Sequence, residues 1–225
     1  MSRGRNNMQA SLALLLAGGE GIVDLPEPSL APALPDQLRE RLAAQAEAAG
    51  LLEVAYRTLE SPLGTLLIAR TDRGLLRVAL PGESHEQVLA ELAGKVGPRI
   101  LFAPRALDRA AGELERYFAG ALQSFSLDVD LRLARGFRRL VLERLQAVPY
   151  GQTTSYAALA DACGSPRAVR AVGSACARNP LPIVVPCHRV LRSDGSLGGY
   201  AGGLQAKRLL LALEQQGAAG RASRT

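Results

Sequence analysis

The segment 179–190, with the sequence NPLPIVVPCHRV, places a cysteine, a histidine and an arginine directly after a short apolar run. The β-branched residues 183–185 predict a short buried strand, and Pro182 and Pro186 fix the backbone at its two ends. Cys187 is then the first residue of a constrained turn. A thiol held in such a turn has a fixed direction.

Cys187 also has a base and a carboxylate available to it. His188 follows directly and Glu214 lies in a later helical pattern, so a relay could turn the thiol into a thiolate nucleophile. Adjacent residues rarely face each other, which favours a bridging water between Cys187 and His188. The relay predicts a pKa for Cys187 below about 8.5, the reference value for a free cysteine. The alternative is a cysteine that only packs in the core, but a core needs no His-Arg neighbour, and the chain has two histidines in all.

Length and cysteine content limit the class of protein. A chain of 225 residues with 48% hydrophobic residues is long enough for one large globular domain or two small ones. Cys163, Cys176 and Cys187 cannot all pair, and they form no CxxC element. The sequence therefore favours neither a disulfide framework nor a zinc site, and we expect no metal, no cofactor and a reducing cytoplasmic location.

The charge is distributed unevenly along the chain. Residues 1–130 carry 13 Lys and Arg against 17 Asp and Glu, whereas residues 131–225 carry 14 against 4. A basic half of this kind is typical of a protein that binds a polyanion, although a solvated surface can produce the same count.

The first half of the chain has the pattern of a scaffold. Three apolar segments separated by turn residues predict an antiparallel meander, and two helical patterns follow them. A last alternating segment predicts a strand or an extended stretch. These elements are the strands near 54–58, 66–69 and 75–80, the helices 83–93 and 106–118, and the segment 125–131. Before them, residues 1–50 contain a proline-rich linker at 26–35 and a helical pattern at 37–49.

The basic half predicts a helix-turn-helix. A helix over 137–148 precedes two short helices, 156–163 and 167–177, that are joined by a tight turn, with Thr154 or Ser155 as the cap of the first. The second short helix consists mostly of small residues, from which Arg167, Arg170 and Arg178 stand out. Such a helix could press against a DNA groove without demanding a particular sequence.

These residues together resemble the O6-alkylguanine-DNA alkyltransferase family, the methylated-DNA–protein-cysteine methyltransferases. The resemblance covers residues of about 52 to 216. It is carried by Tyr156, Arg170, Asn179, the motif 186–189 (PCHR), the motif 199–203 (GYAGG) and Glu214.

The resemblance implies an α+β fold, in which a small N-terminal ribonuclease-H-like α/β domain precedes a C-terminal winged helix-turn-helix domain. Residues 1–50 have no counterpart and remain an appended helical and linker segment of unknown role. The expected divisions are 1–50, 51–130 for the α/β domain, 131–217 for the DNA-binding and alkyl-acceptor domain, and 218–225 for a tail.

The resemblance also implies catalytic roles. Cys187 is the alkyl acceptor, His188 its water-relayed base, and Glu214 the carboxylate that orients His188. Asn179 is the hinge that ties the recognition helix to the active-site turn, and Tyr156 turns the target phosphate and hydrogen-bonds the guanine.

Further residues are expected at the DNA interface and in the substrate pocket. Arg170 is expected to enter the duplex in place of the extruded nucleotide, and backbone N–H groups near Val190 and Ala201 to stabilise the departing guanine. The remaining DNA contacts are assigned to Arg167, Ser174 and Arg178. The pocket is assigned to Val190, Tyr200, Ala201, Arg189 and Lys207.

The expected function is direct reversal of DNA damage, with the alkyl group of O6-alkylguanine or O4-alkylthymine passing irreversibly to Cys187 in a single turnover. The expected partner is double-stranded DNA that contains O6-alkylguanine, with the protein acting as a monomer and without a membrane. Three alternatives stay open at this point: an alkyltransferase-like lesion-binding protein, a cysteine hydrolase, and a plain transcriptional regulator. Cys187 disfavours the first, the helix-turn-helix the second, and the shortage of base-reading side chains the third.

Overall fold

The computed structural model describes residues 36–222. The proline-rich linker and the rest of residues 1–35 lie outside the described residues, as do residues 223–225. The helical pattern expected over 37–49 corresponds to helix α1 (Asp36–Ala48).

A four-stranded sheet forms the N-terminal part of the described chain. Its strands are β1 (Val54–Leu59), β2 (Leu66–Thr71), β3 (Gly74–Ala79) and β4 (Ile100–Phe102), in the spatial order β3-β2-β1-β4. Antiparallel pairing of β1 with β2 and of β2 with β3 confirms the predicted meander. The sequence did not reveal β4, which pairs in parallel with β1 and is only three residues long.

Both faces of this sheet are buried. Along β2, Leu66 and Ile68 face one core cluster, whereas Leu67 and Ala69 face the other, as the two-residue period of a strand requires. Helix α2 (His85–Lys95), capped by the Ser84 side chain, covers the second face. Helix α3 (Asp108–Phe118) follows a 3-10 turn (Pro104–Leu107) and packs on the first face.

Residues 125–130 form no strand, and their pairing is limited to a single parallel bridge between Val129 and Leu75, while Leu131 begins a 3-10 turn (Leu131–Leu133). Hydrogen bonds from the Leu75 N–H to the Asp128 carbonyl and from the Asp130 N–H to the Leu75 carbonyl hold this segment beside β3. A Cβ on Gly74 would collide with the Asp128 backbone, so this close approach requires glycine. The alternating apolar residues predicted either a strand or an extended stretch here, and the structure contains the latter.

The C-terminal part is helical. Helix α4 (Gly136–Gln146) packs against the predicted helix-turn-helix, which consists of α5 (Tyr156–Ala162) and α6 (Val169–Ala177). Ser155 caps α5 by accepting from the Ala158 N–H at 3.0 Å. The long helix α7 (Gly203–Ala222) ends the described chain and continues five residues past the expected domain end at 217.

Residues 190–198, between α6 and α7, form a small wing. Its strand β6 (Val190–Leu191) pairs in parallel with β5 (Thr154–Ser155), which precedes α5, and Leu191 bridges back to Leu197. One buried cluster contains residues of the sheet part, such as Ile68 and Leu114, together with residues of the helical part, such as Leu142. The α+β class is thus as expected. No helix within residues 36–222 is long and apolar enough to cross a membrane.

Candidate active site

The segment 181–186 is a turn, so the short strand predicted from its β-branched residues is wrong. The Val185 N–H donates to the Leu181 carbonyl at 2.8 Å, which closes the turn. Ile183 adopts a φ of 76°, a left-handed conformation that is rare for a β-branched residue. Two prolines within five residues remove the N–H donors that a strand would need, so the chain cannot pair there.

The Asn179 side chain holds this turn in place. Its Oδ1 accepts from the Leu181 N–H at 3.0 Å, and its Nδ2 donates to the Val185 carbonyl at 2.7 Å. The same Nδ2 lies 3.2 Å from Cys187 Sγ and donates to it. Because Asn179 follows the end of α6, it connects the recognition helix of the helix-turn-helix to the thiol.

The Cys187 thiol is deeply buried, at 3% exposure, at the start of a one-turn 3-10 helix (Cys187–Arg189). Burial raises its pKa to about 11, although the bond from Asn179 and the charge of Lys207 act in the opposite direction. The predicted lowering of this pKa is therefore wrong for the protein without DNA. Desolvation penalises the thiolate more than one amide donor and one cation stabilise it.

His188 and Glu214 are in contact. The two side chains are fully buried, and His188 Nε2 lies 2.8 Å from Glu214 Oε1. Burial would raise the pKa of Glu214, but hydrogen bonds from His188 and Arg189 lower it to about 2, so the carboxylate is ionised. Burial lowers the pKa of His188 despite the attraction of Glu214, so the imidazole is neutral near pH 7.

These charge states fix the tautomer of His188. A neutral imidazole next to a carboxylate donates its Nε2–H, which leaves Nδ1 with a lone pair. His188 Nδ1 is buried and has no hydrogen-bond partner. It is therefore the nitrogen that can accept a proton from the neighbouring thiol, directly or through one water molecule.

Glu214 is held from several sides. Arg189 donates through Nε to Oε2 at 2.9 Å and through Nη2 to Oε1 at 2.8 Å. Tyr117 Oη donates to Oε1 at 2.7 Å, and the Gly151 N–H donates to Oε2 at 3.1 Å. So many donors keep a buried carboxylate both charged and fixed in position.

Two residues assigned to the substrate pocket make other contacts. The Arg189 guanidinium bonds Glu214 and the Val148 carbonyl and stacks over the Tyr150 ring. The fully buried Lys207 Nζ donates to the Val190 carbonyl at 2.6 Å and contacts the Gly198 carbonyl at 3.4 Å. Both cations thus support the active-site turn and the wing.

The other residues assigned to the pocket, Val190, Ala201 and Tyr200, differ from one another in burial and in contacts. Val190 is buried, and its N–H, expected to face the departing guanine, donates instead to the Cys187 carbonyl. Ala201 is exposed. The Tyr200 ring contacts the His188 ring edge to face, with centroids 6.4 Å apart, and its buried hydroxyl has no hydrogen-bond partner.

Tyr156 is half-buried at the start of α5, and its ring lies against the wing at Gly198. A Cβ at Gly198 would overlap the Tyr156 hydroxyl, so only glycine permits this contact. Burial raises the pKa of Tyr156, and the nearby Cys176 and Cys187 add to the effect. The structure thus brings Tyr156 near the Cys187 thiol.

The residues assigned to the DNA interface lie on or beside α6. Arg167, Arg170, Ser174 and Arg178 are all exposed. Arg178 donates to the Ser174 hydroxyl at 2.7 Å, one helical turn away. This helix therefore offers a charged outer surface, while Val172 and Cys176 pack inward.

The sequence analysis did not single out Tyr117, which lies in the helix predicted over 106–118 as part of the scaffold. A fully buried tyrosine hydroxyl needs a partner, and that requirement was the available signal, but it does not say which partner. Among residues 36–222, no group of three or more His, Cys, Asp or Glu side chains is placed to hold a metal ion.

Family models match the two parts of the described chain. Residues 54–131 match the ribonuclease-like domain of 6-O-methylguanine DNA methyltransferase. Residues 136–216 match the DNA-binding domain of the same family.

Individual relatives match over most of their length. The methylated-DNA–protein-cysteine methyltransferase of Mycolicibacterium paratuberculosis is 42% identical over 163 residues, which are 72% of this chain and 93% of that protein. The constitutive enzyme of this name from Bacillus subtilis is 40% identical, over 71% of this chain and 94% of that protein.

Solved structures agree with these matches. The crystal structure of Mycobacterium tuberculosis O6-methylguanine methyltransferase is 39% identical, with a TM-score of 0.63, over 72% of this chain and 93% of that one. A structure of Mycobacterium tuberculosis OGT in complex with DNA also has a TM-score of 0.63, at 38% identity, over 72% of this chain and 94% of that one. Relatives at this identity, covered almost completely, establish that the chain belongs to the O6-methylguanine-DNA methyltransferase family.

Proposed function

We propose that this protein repairs alkylated DNA by transferring a methyl group from O6 of guanine to Cys187 Sγ. The observation that carries the proposal is the buried array of Cys187, His188 and Glu214, in which His188 Nδ1 lacks a partner. A thiol next to an unoccupied proton acceptor is equipped to become a nucleophile during the reaction. The names of the relatives support the same chemistry.

Transfer breaks the bond between the methyl carbon and O6 and forms a bond between that carbon and Sγ. The thiol proton passes to His188 Nδ1, and the departing guanine takes a proton from the Tyr156 hydroxyl. The imidazolium then returns its proton to the Tyr156 phenolate through water, so the thiol proton ends on the guanine and no net charge is created. Glu214 stays ionised and stabilises the imidazolium that forms. Since a thioether is not cleaved again, each molecule acts once.

The neutral resting thiol fits this order of events. A pKa of about 11 means that the thiolate is rare until the proton moves to His188. An alkylated base that fills the site would react as the proton leaves, while the Tyr156 hydroxyl donates a hydrogen bond to the purine. Asn179 keeps Sγ aimed during this step.

The base must leave the duplex to reach a thiol that is 3% exposed. The exposed arginines on and beside α6 support DNA as the partner, with Arg170 filling the vacancy in the stack. Recognition is therefore assigned to residues 131–217, with residues 51–130 as the supporting domain. We assign the protein to the cytoplasm as a monomer.

Intact-mass measurement tests the proposal. After incubation with an excess of O6-methylguanine duplex, each molecule should gain one methyl group, and peptide mapping should place it on Cys187. Cys187→Ser should abolish the gain but retain DNA binding, whereas Cys176→Ala, which alters a buried cysteine on α6, should still be methylated. A methyl group on Cys163 or Cys176, or repeated turnover, would refute the assignment.

A further inference from the structure

Tyr117 connects the N-terminal sheet domain to the candidate relay. It belongs to α3, and its side chain is completely buried among Phe118, Phe125 and Tyr150, with ring centroids 5.3 to 6.1 Å away. From this aromatic cluster its hydroxyl donates to Glu214 Oε1 at 2.7 Å. The hydroxyl also lies 3.5 Å from His188 Nε2.

Oε1 is the oxygen of Glu214 that matters for the relay, because it accepts from His188 Nε2 at 2.8 Å. Arg189 Nη2 donates to the same oxygen at 2.8 Å. Tyr117 is therefore the third residue that donates to this one atom, after His188 and Arg189. A donor placed there limits both the position of the carboxylate and the negative charge that it presents to the imidazole.

We propose that Tyr117 is a positioning residue for methyl transfer and that the N-terminal domain thereby takes part in the reaction. The inference rests on the proposed function, since it assigns Tyr117 a task in that relay. Tyr117 acts through Glu214. Its hydrogen bond fixes Oε1 next to the imidazole, and it weakens the attraction between the carboxylate and the imidazolium that forms when His188 accepts the thiol proton.

The sign of the effect follows from the groups that face His188. The carboxylate attracts a proton to the imidazole, and the two cations oppose it. Loss of the Tyr117 hydroxyl leaves more negative charge on Oε1, so His188 should bind a proton more readily and stay protonated to a higher pH. The titratable and charged groups facing His188 are Glu214, Arg189, Lys207, Cys187, Tyr117 and Tyr200. Among them, Tyr117 is the one that the sheet domain contributes.

Tyr117→Phe tests this role, with Tyr150→Phe as the matched control. Tyr150 lies in the same aromatic cluster, but its hydroxyl reaches only the Leu213 carbonyl, at 3.4 Å. In single-turnover transfer from O6-methylguanine duplex at saturating protein, Tyr117→Phe should be slower by about tenfold, as expected for one lost hydrogen bond to a charged group. The acid limb of its pH–rate profile should move to higher pH, while Kd for the duplex stays within about twofold. Tyr150→Phe should match the wild type in rate and acid limb.

A second comparison asks whether Tyr117 acts through the carboxylate. In a Glu214→Gln background, Tyr117→Phe should cause no further loss of rate, because the group on which it acts has been replaced. An unchanged acid limb in Tyr117→Phe, or an equal loss of rate in both backgrounds, would overturn the inference.

The two proposals fail in different ways. If the wild type does not transfer a methyl group, the proposed function is wrong; if it does and Tyr117→Phe behaves like Tyr150→Phe, only the role of Tyr117 is wrong. Thermal unfolding checks that both variants are folded. Should Tyr117→Phe not fold, 15N-edited NMR of the two histidines in the wild type carries the test. It must show His188 as the Nε2–H tautomer next to a slowly exchanging Tyr117 hydroxyl proton, and the absence of that contact overturns the inference.

Discussion

Replacing Asn179 with leucine should remove the side-chain hydrogen bonds that connect the end of α6 to the turn 181–186. The substitution nearly conserves volume but removes both polar atoms of a buried side chain. The Leu181 N–H then loses its partner, whereas the Val185 carbonyl loses one of two donors and still accepts from the Cys187 N–H at 2.8 Å. A buried polar group without a partner costs about 1 to 3 kcal/mol, and the hydrogen bond lost at Val185 adds about 1 kcal/mol, so the intact turn would lose about 2 to 4 kcal/mol.

The strained backbone limits this loss. Ile183 is held at a φ of 76°, a conformation that costs about 1 to 3 kcal/mol in itself. Without Asn179 the turn can relax and recover about 1 kcal/mol of that strain, so we expect a net destabilisation of about 1 to 3 kcal/mol. The relaxed turn no longer aims Sγ, and methyl transfer should slow by more than about tenfold.

Urea denaturation and single-turnover transfer measure the two effects, and Asn179→Asp serves as the comparison. A protonated aspartic acid retains an acceptor for Leu181 and a donor for Val185, whereas the buried carboxylate retains only the acceptor. Burial raises the pKa of such a carboxyl group, so the folded state binds the proton more tightly than the unfolded state. Asn179→Asp should therefore lose stability as the pH rises from about 4 to 8, and the difference between Asn179→Leu and the wild type should change little. Stability of Asn179→Leu within about 0.5 kcal/mol of the wild type, with normal transfer, would refute this account of the turn.

Three further predictions concern the relay, the pocket and the DNA interface. The pKa of Glu214 lies at about 2, below its ordinary 4.5, so the stability it contributes, on the order of 3 kcal/mol, should be lost as the pH falls from about 4.5 towards 2. Because the pKa of His188 is lowered, the protein should lose further stability as the pH falls below about 6.5. Urea denaturation measured against pH reports both losses. A free energy of unfolding that stays constant between pH 7 and 3 would contradict them. Gly198→Ala should displace the Tyr156 hydroxyl and slow transfer while duplex binding measured by anisotropy persists; an unchanged rate would show that the hydroxyl position is not critical. Arg170→Ala should slow repair of duplex DNA but leave the reaction with free O6-methylguanine nearly unchanged, and equal losses on both substrates would contradict its role.

The sequence by itself determined the local elements and the reactive group. Alternating apolar residues predicted the three-stranded meander, because strand periodicity is a local property, and Ser155 was among the expected caps of α5. The PCHR motif identified the cysteine and its base, since the chemistry depends on residue type. The sequence offered Glu214 as an available carboxylate, the family resemblance gave it the role of orienting His188, and the structure places it against His188.

Only the tertiary structure decided what surrounds these groups. Ile183 and its neighbours have the composition of a strand, yet two prolines and the Asn179 side chain make them a turn. The pKa of Cys187 is raised and not lowered, because burial is set by the whole fold and outweighs the nearby donors. Tyr117 reaches Glu214 across 97 positions of sequence, and a contact between residues so far apart has no local signal. Periodicity predicts which side of a helix is buried, but the packing of the sheet domain against the helical domain selects the atom that a buried hydroxyl will meet.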